Sequence, residues 1–171
     1  FSRYNSLNAV SGSSNLTDRY KFVDTKSVIT AMGNHGWKPF LIQEQRTNQE
    51  SKKGYQKHII RFRNELISDT VSFDKVLPEI VLLNSHNGTC ALKFMLGMFR
   101  QICTNGLIKG DEINSYKLRH TGDINKDIPL MIEEVMTSYP QTLKEVQLFQ
   151  TVKLTLQEKM VFAESAIEII K

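Results

Sequence analysis

The side chains of this 171-residue sequence whose types could do chemistry are four histidines, two cysteines and a dense run of cations. His86 in "NSHNG" and His120 in "RHTGD", with Asp123 three residues further on, are the set that a metal-dependent hydrolase could use, His120 then acting as general base. Neither these two nor His35 and His58 sit at metal-pair spacing with another His or Cys, so the structural reading of each outweighs the catalytic one. Cys103 in "FRQICTNG" has apolar neighbours on both sides and reads as core. Cys90 follows an Asn-Gly pair. The two cysteines form neither a close pair nor a finger spacing, which favours a reducing compartment. The phosphate-loop patterns G-x-x-x-x-G-K-[ST] and G-x-G-x-x-G, the zinc pattern H-E-x-x-H and the hydrolase pattern G-x-S-x-G do not occur. No catalytic residue, metal or cofactor is expected.

The cations carry the stronger signal. "KKGYQKHIIRFR", residues 52–63, holds five Lys and Arg and no acid. Read as a strand over 55–63, it alternates: Tyr55, Lys57, Ile59, Arg61 and Arg63 face one way, and Gln56, His58, Ile60 and Phe62 face the core. A lone lysine on such a strand would be the common guard of a sheet edge. Three cations on one face with an aromatic among them are what a single-stranded nucleic acid needs, charge for phosphates and a ring for a base. Lys52, Lys53, Lys57, Arg61 and Arg63 are therefore the expected phosphate contacts, with Arg46 just upstream, Tyr55 as the stacking residue, and Arg100 and Arg119 as lesser candidates.

Overall charge is only mildly basic, +4. Its distribution is uneven: residues 1–63 hold eleven Lys and Arg against four Asp and Glu, and the remainder eleven against fourteen. That polarity points to a polyanion or an acidic surface as partner. No apolar run approaches the ~18 residues that read as a membrane span. No signal peptide is visible, and the start at Phe1 rather than a methionine suggests a missing N-terminus.

The elements that must position these residues read as one α+β domain. Residues 1–18, rich in Ser and Asn, read as a flexible arm. "RYKFV" reads as a short strand, and residues 24–36 as a helix capped by Asp24 or Thr25. Strands follow at 38–47, 55–63, 79–86 and 90–96, the last two joined by a tight turn at Asn87-Gly88. Residues 97–105 read as a helix in preference to a continued strand, closed by Asn105-Gly106-Leu107. "SYKLRHTGD" is extended. From Asp127, a candidate cap, the chain turns helical, with Pro140 expected to separate two pieces. A capping box, Thr155 and Glu158, opens the last helix, whose apolar stripe (Met160, Phe162, Ala163, Ala166, Ile167, Ile170) must pack on the core or on a neighbouring subunit. The domain boundaries are 1–18 for the arm, 19–123 for the α+β core and 124–171 for the helical part.

"RYKFVDTKSVITAMGNHGW", "LLNSHNG", "FRQICTNGL" and "RHTG" together resemble a phage- and plasmid-borne family, number nine hundred and thirty-two in the domain-of-unknown-function series, over residues 19–123, with "LTLQEKMVFAESAI" a weaker tail match. More distantly, the order helix, Gly36-Trp37, antiparallel strands, helix is similar to the core of the Rad fifty-two superfamily of single-strand annealing proteins, from which this sequence departs by an extra strand at 90–96. That second resemblance implies a basic groove on a ring of subunits that holds single-stranded DNA. The expected function is single-stranded DNA binding and annealing in the recombination of a phage or mobile element. It would proceed without covalent catalysis, as a ring or filament in the cytoplasm of a bacterial host. The alternatives are an anti-defence protein binding an acidic host protein, and the metal-dependent hydrolase.

Overall fold

The computed structural model describes residues 3–64, 77–101 and 108–170. Asp24 caps helix α1, Thr25–Asn34, its carboxylate accepting from the Lys26 and Ser27 backbone N–H groups. These are orphan donors of a first turn. Five strands follow as an antiparallel meander: β1 Trp37–Glu44, β2 His58–Asn64, β3 Leu77–Asn84, β4 Leu92–Gln101 and β5 Ile108–Leu118, in the spatial order β1-β2-β3-β4-β5. Helix α2, Ile124–Thr151, and helix α3, Leu156–Ile170, follow the sheet. The fold is α+β.

Period-two alternation fixes which face of the sheet is the core. Ile60 pairs with Leu82 and Leu82 with Phe94, while Phe62 pairs with Ile80 and Ile80 with Leu96. All six are fully buried. Against them pack Val28, Ile29 and Met32 of α1 and Ile124, Met131, Ile132, Val135 and Tyr139 of α2. Trp37 meets Tyr139 edge-on, ring centroids 4.6 Å apart. Burying a side chain of this kind contributes about 1.5–3 kcal/mol.

Several expectations are corrected. Residues 3–18 pack on the domain instead of forming a flexible arm. A short 3-10 turn at Asn5–Asn8 buries Leu7, the Ser6 N–H donates to Glu44 Oε2 at 2.6 Å, and the Ser13 N–H donates to the His86 carbonyl at 2.8 Å. "RYKFV" joins no sheet, because the Lys21 N–H is taken by the His120 carbonyl at 2.8 Å. Asn87-Gly88 does lie between β3 and β4, but in a seven-residue connection, 85–91, and not in a two-residue turn. Gly88 has φ +72°, and a Cβ there would sit 2.7 Å from the Leu16 side chain.

The helix expected at 97–105 is instead a continuation of β4 through Gln101, since hydrogen-bonded neighbours on both sides hold it extended: Gly97 faces Glu79 on β3 and Glu112 on β5. Cys103 and the Asn105-Gly106-Leu107 stop lie outside the described residues. Helix α2 begins at Ile124, so Asp127 lies in its first turn and does not cap it. The same helix runs unbroken through Pro140. Loss of the Pro140 N–H is offset by buried packing on either side, from Tyr139 and Thr142. The Thr155–Glu158 box forms as expected, each residue bonding the other's backbone N–H. Among the described residues of the α3 stripe, Met160 is 58% and Phe162 70% exposed within this chain, and Ala163 is exposed too, which leaves the alternative of packing on a neighbouring subunit open. The side chains of Ala166, Ile167 and Ile170 lie outside the description. Among the described residues no helix is long and apolar enough to cross a membrane.

Candidate nucleic-acid interface

Strand β2 starts at His58, so the expected basic row is shorter than the alternation implied. Lys52 ends a 3-10 turn, Glu50–Lys52, and Lys53 is ion-paired to Glu50; both are exposed. Tyr55 and Lys57 are half-buried ahead of the strand, the Tyr55 carbonyl accepting from the His86 N–H at 3.0 Å. Arg46 is exposed in the irregular segment after β1. Arg61 and Arg63 do share the face opposite Ile60 and Phe62. They are not a free groove, however. Arg61 Nε lies 2.5 Å from Glu79 Oε2, and Arg63 donates to Glu79 Oε1 at 2.9 and 2.7 Å. Arg61 is 2% exposed and Glu79 0%. The Phe40 ring, brought out at the β-bulge between Pro39 and Leu41, caps Arg63 with its centroid 3.7 Å from the guanidinium. Burial pushes the Glu79 carboxyl above its ordinary value, and Arg61 and Arg63 pull it back. A carboxylate shared by two guanidiniums is compensated inside the fold, so these two cations serve packing. The pleat was legible in the sequence; the acid sixteen residues beyond the run was not singled out. Arg100 lies on β4 opposite Lys109, with its side chain outside the description.

The structure gathers unpaired cations elsewhere. A cleft of about 580 Å³ opens beside the end of β5, walled by Asn15–Thr17, Arg19 and Tyr20 on one side, Gly88–Ala91 on another, and Lys117 and Arg119–Thr121 on the third. Lys117, near the end of β5, and Arg119, just beyond it, are both exposed and both line the cleft. Arg19 faces them across the cleft. None of the three has an ion pair among the described residues, and no Asp or Glu contributes to the lining. Lys57 lies close enough for its charge to lower the Cys90 thiol, although burial sets the net direction upward. Of these cations the sequence analysis had named Arg119 and Lys57. Arg19 and Lys117 were missed, because their neighbours in space come from distant segments.

Beneath the cleft lies a buried polar network. Asn84 Nδ2 donates to Thr25 Oγ1 at 3.0 Å, and Thr25 lies 3.0 Å from His58 Nε2 and 3.4 Å from His86 Nε2. His58 Nδ1 faces the Gln56 carbonyl at 3.1 Å and must donate to it, so the Thr25 hydroxyl gives its proton to His58 Nε2. His120 links this network to the cleft, its Nε2 3.0 Å from Asn84 Oδ1 and its ring stacked on Tyr20 at 4.7 Å. Burial lowers the His58 pKa to about 4. It lowers His86 to about 3, with the nearby His58 and His120 imidazoles adding to the shift. Asp123 takes no part: it is exposed and paired with Lys126 at 3.0 Å. Among the described residues no group of His, Cys, Asp and Glu is arranged to hold a metal ion. Of the residues named for a hydrolase, Asp123 thus lies apart, exposed, while His86 and His120 are buried.

The segments that carried the family resemblance, around Arg19-Tyr20, Leu82–Gly88 and Arg119–Gly122, meet at this cleft. The chain belongs to the family described as Domain of unknown function (DUF932), which matches residues 14–169. It is similar to two proteins of Escherichia coli (strain K12), UPF0380 protein YfjQ, 28% identical over 151 residues, and UPF0380 protein YafZ, 27% identical over 151. Each alignment covers 88% of this chain and 54% of the relative, so the chain spans about half the length of the curated relatives it matches. No solved structure matches it.

Proposed function

We propose that this chain binds single-stranded nucleic acid, with Arg19, Lys117 and Arg119 as the principal phosphate contacts, and that it anneals complementary strands in the recombination of a phage or mobile element. The observation that carries this reading is the cleft itself: three cations that have no ion pair among the described residues, around a concave surface that none of the described carboxylates lines. Such a site attracts a polyanion and releases its counterions. Lys57, Lys52 and the exposed Arg46 add positive surface on the same domain, while Arg61 and Arg63 belong to its packing. The element order, α1 followed by antiparallel strands, is similar to that of the Rad fifty-two annealing core, an analogy of architecture alone. Annealing needs several subunits along a strand. The exposed apolar side chains of α3, Leu156, Met160 and Phe162 among them, are available for assembling them.

Fluorescence anisotropy of a labelled oligothymidylate at low salt tests the reading. Saturable binding that duplex DNA of equal length competes for weakly supports it. Absence of binding moves the basic cleft to an acidic protein partner, such as a host defence protein.

A further inference from the structure

His120 faces two hydrogen-bond acceptors at once. Its Nδ1 is 3.0 Å from the Lys21 carbonyl oxygen and its Nε2 3.0 Å from Asn84 Oδ1. The Lys21 oxygen can only accept. The orientation of the Asn84 amide is fixed by its other partners. The Ser85 backbone N–H, which can only donate, meets Oδ1 at 2.8 Å, while Nδ2 donates to Thr25 Oγ1. Reversing the amide would set two donors against each other at Ser85. A neutral imidazole has one N–H and can satisfy one of its two acceptors; an imidazolium satisfies both.

Two influences oppose that charge in the empty protein. Burial disfavours it, although the Lys21 carbonyl works the other way. The surroundings are also predominantly cationic or neutral: Arg19 and the stacked Tyr20 from the N-terminal segment, Cys90 and the neutral His86 from the β3–β4 connection, Lys117 near the end of β5, and Arg119 just beyond that strand. Asp123 is exposed and paired with Lys126, and Asp24 is occupied in capping α1, so neither carboxylate reaches the ring. A phosphate in the cleft reverses the sign of that local field.

We infer that His120 takes up one proton when nucleic-acid phosphate enters the cleft, becoming an imidazolium that bonds the Lys21 carbonyl and Asn84 Oδ1 together. This rests on the phosphate-binding reading above and adds its regulation. Ligand and proton then bind cooperatively, and by linkage each strengthens the other. Affinity rises as pH falls, by about tenfold for each unit by which the ligand raises the His120 pKa.

The probe is oligothymidylate with hydroxyl ends, whose phosphodiesters and bases do not titrate between pH 5.5 and 8. Calorimetry of the whole chain near neutral pH, in buffers of different ionisation enthalpy, counts the protons taken up. NMR of labelled imidazoles follows His120 with and without the oligonucleotide, with His35 as internal reference. Net proton uptake on binding, a raised His120 pKa and loss of that uptake in His120→Gln are expected. Binding with no proton uptake, or uptake that persists in His120→Gln, overturns this inference and leaves the cleft reading intact. Absence of binding at any pH overturns both. The wild-type NMR titration keeps the test decisive if His120→Gln folds poorly.

Discussion

Arg61 Nε lies 2.5 Å from Glu79 Oε2, and both side chains are almost fully withdrawn from solvent. Removing one partner of such a pair leaves a buried charge uncompensated. Glu79→Ala should therefore cost about 3–5 kcal/mol of stability, and Arg61→Gln should lower the urea midpoint clearly. Arg63→Gln, at a side chain 33% exposed and capped by Phe40, should lower it less. Chemical denaturation of the three variants checks this, and an unchanged midpoint for Arg61→Gln would show that the pair is not structural.

The hydroxyl of Thr25 is the hub of the buried network. Thr25→Val keeps the volume and removes the hydroxyl, leaving Asn84 Nδ2 and His58 Nε2 without that partner. Such a loss costs about 1–3 kcal/mol. Thermal or urea unfolding reads it. A cost well below this would mean that His58 and Asn84 find each other or water once the hydroxyl is gone.

The buried histidines also make stability depend on pH. His58 is lowered to about 4 and His86 to about 3 from the ordinary value of 6.5. Between those values and 6.5 the unfolded chain binds more protons than the folded one, so stability rises with pH across this window. It is fully present above about pH 6.5, the unfolded imidazole value. Urea midpoints should fall steadily from pH 7 to pH 4.5, and a flat profile would contradict the burial of neutral imidazoles.

How far the sequence was legible follows from which interactions are local. The Asp24 cap, the Thr155–Glu158 box and the core face of β2 depend on residues within a few positions of each other, and all were readable. The compensation of Arg61 and Arg63 depends on Glu79, and the cleft on Arg19, Gly88 and Arg119. The register of the meander brings Glu79 to the two arginines, and the backbone bond from Lys21 to His120 brings Arg19 to the cleft. Helical spacing at 97–105 was outweighed because the strand bonds that hold β4 are all to other strands. The arm was misread because its low periodicity hides one anchoring side chain, Leu7, and its backbone contacts to Glu44 and His86.

Phe162 is 70% exposed on α3, so replacing it by serine removes little packing within the chain. Phe162→Ser should leave the thermal midpoint within about 0.5 kcal/mol equivalent of wild type. If α3 assembles subunits, the same variant should sediment as a smaller species. Analytical ultracentrifugation at matched concentrations decides this, and identical distributions would remove α3 from assembly.

The most direct measurement of the cleft reading is a salt titration of oligothymidylate binding, comparing the wild type with Arg19→Gln/Arg119→Gln. For single strands, log affinity falls against log salt by about 0.7 for each phosphate contact. If each arginine holds one phosphate, the double variant should bind more weakly and its slope should flatten by about 1.4. An unchanged slope in the double variant, or no binding by the wild type at low salt, would contradict the assignment of this cleft to nucleic acid.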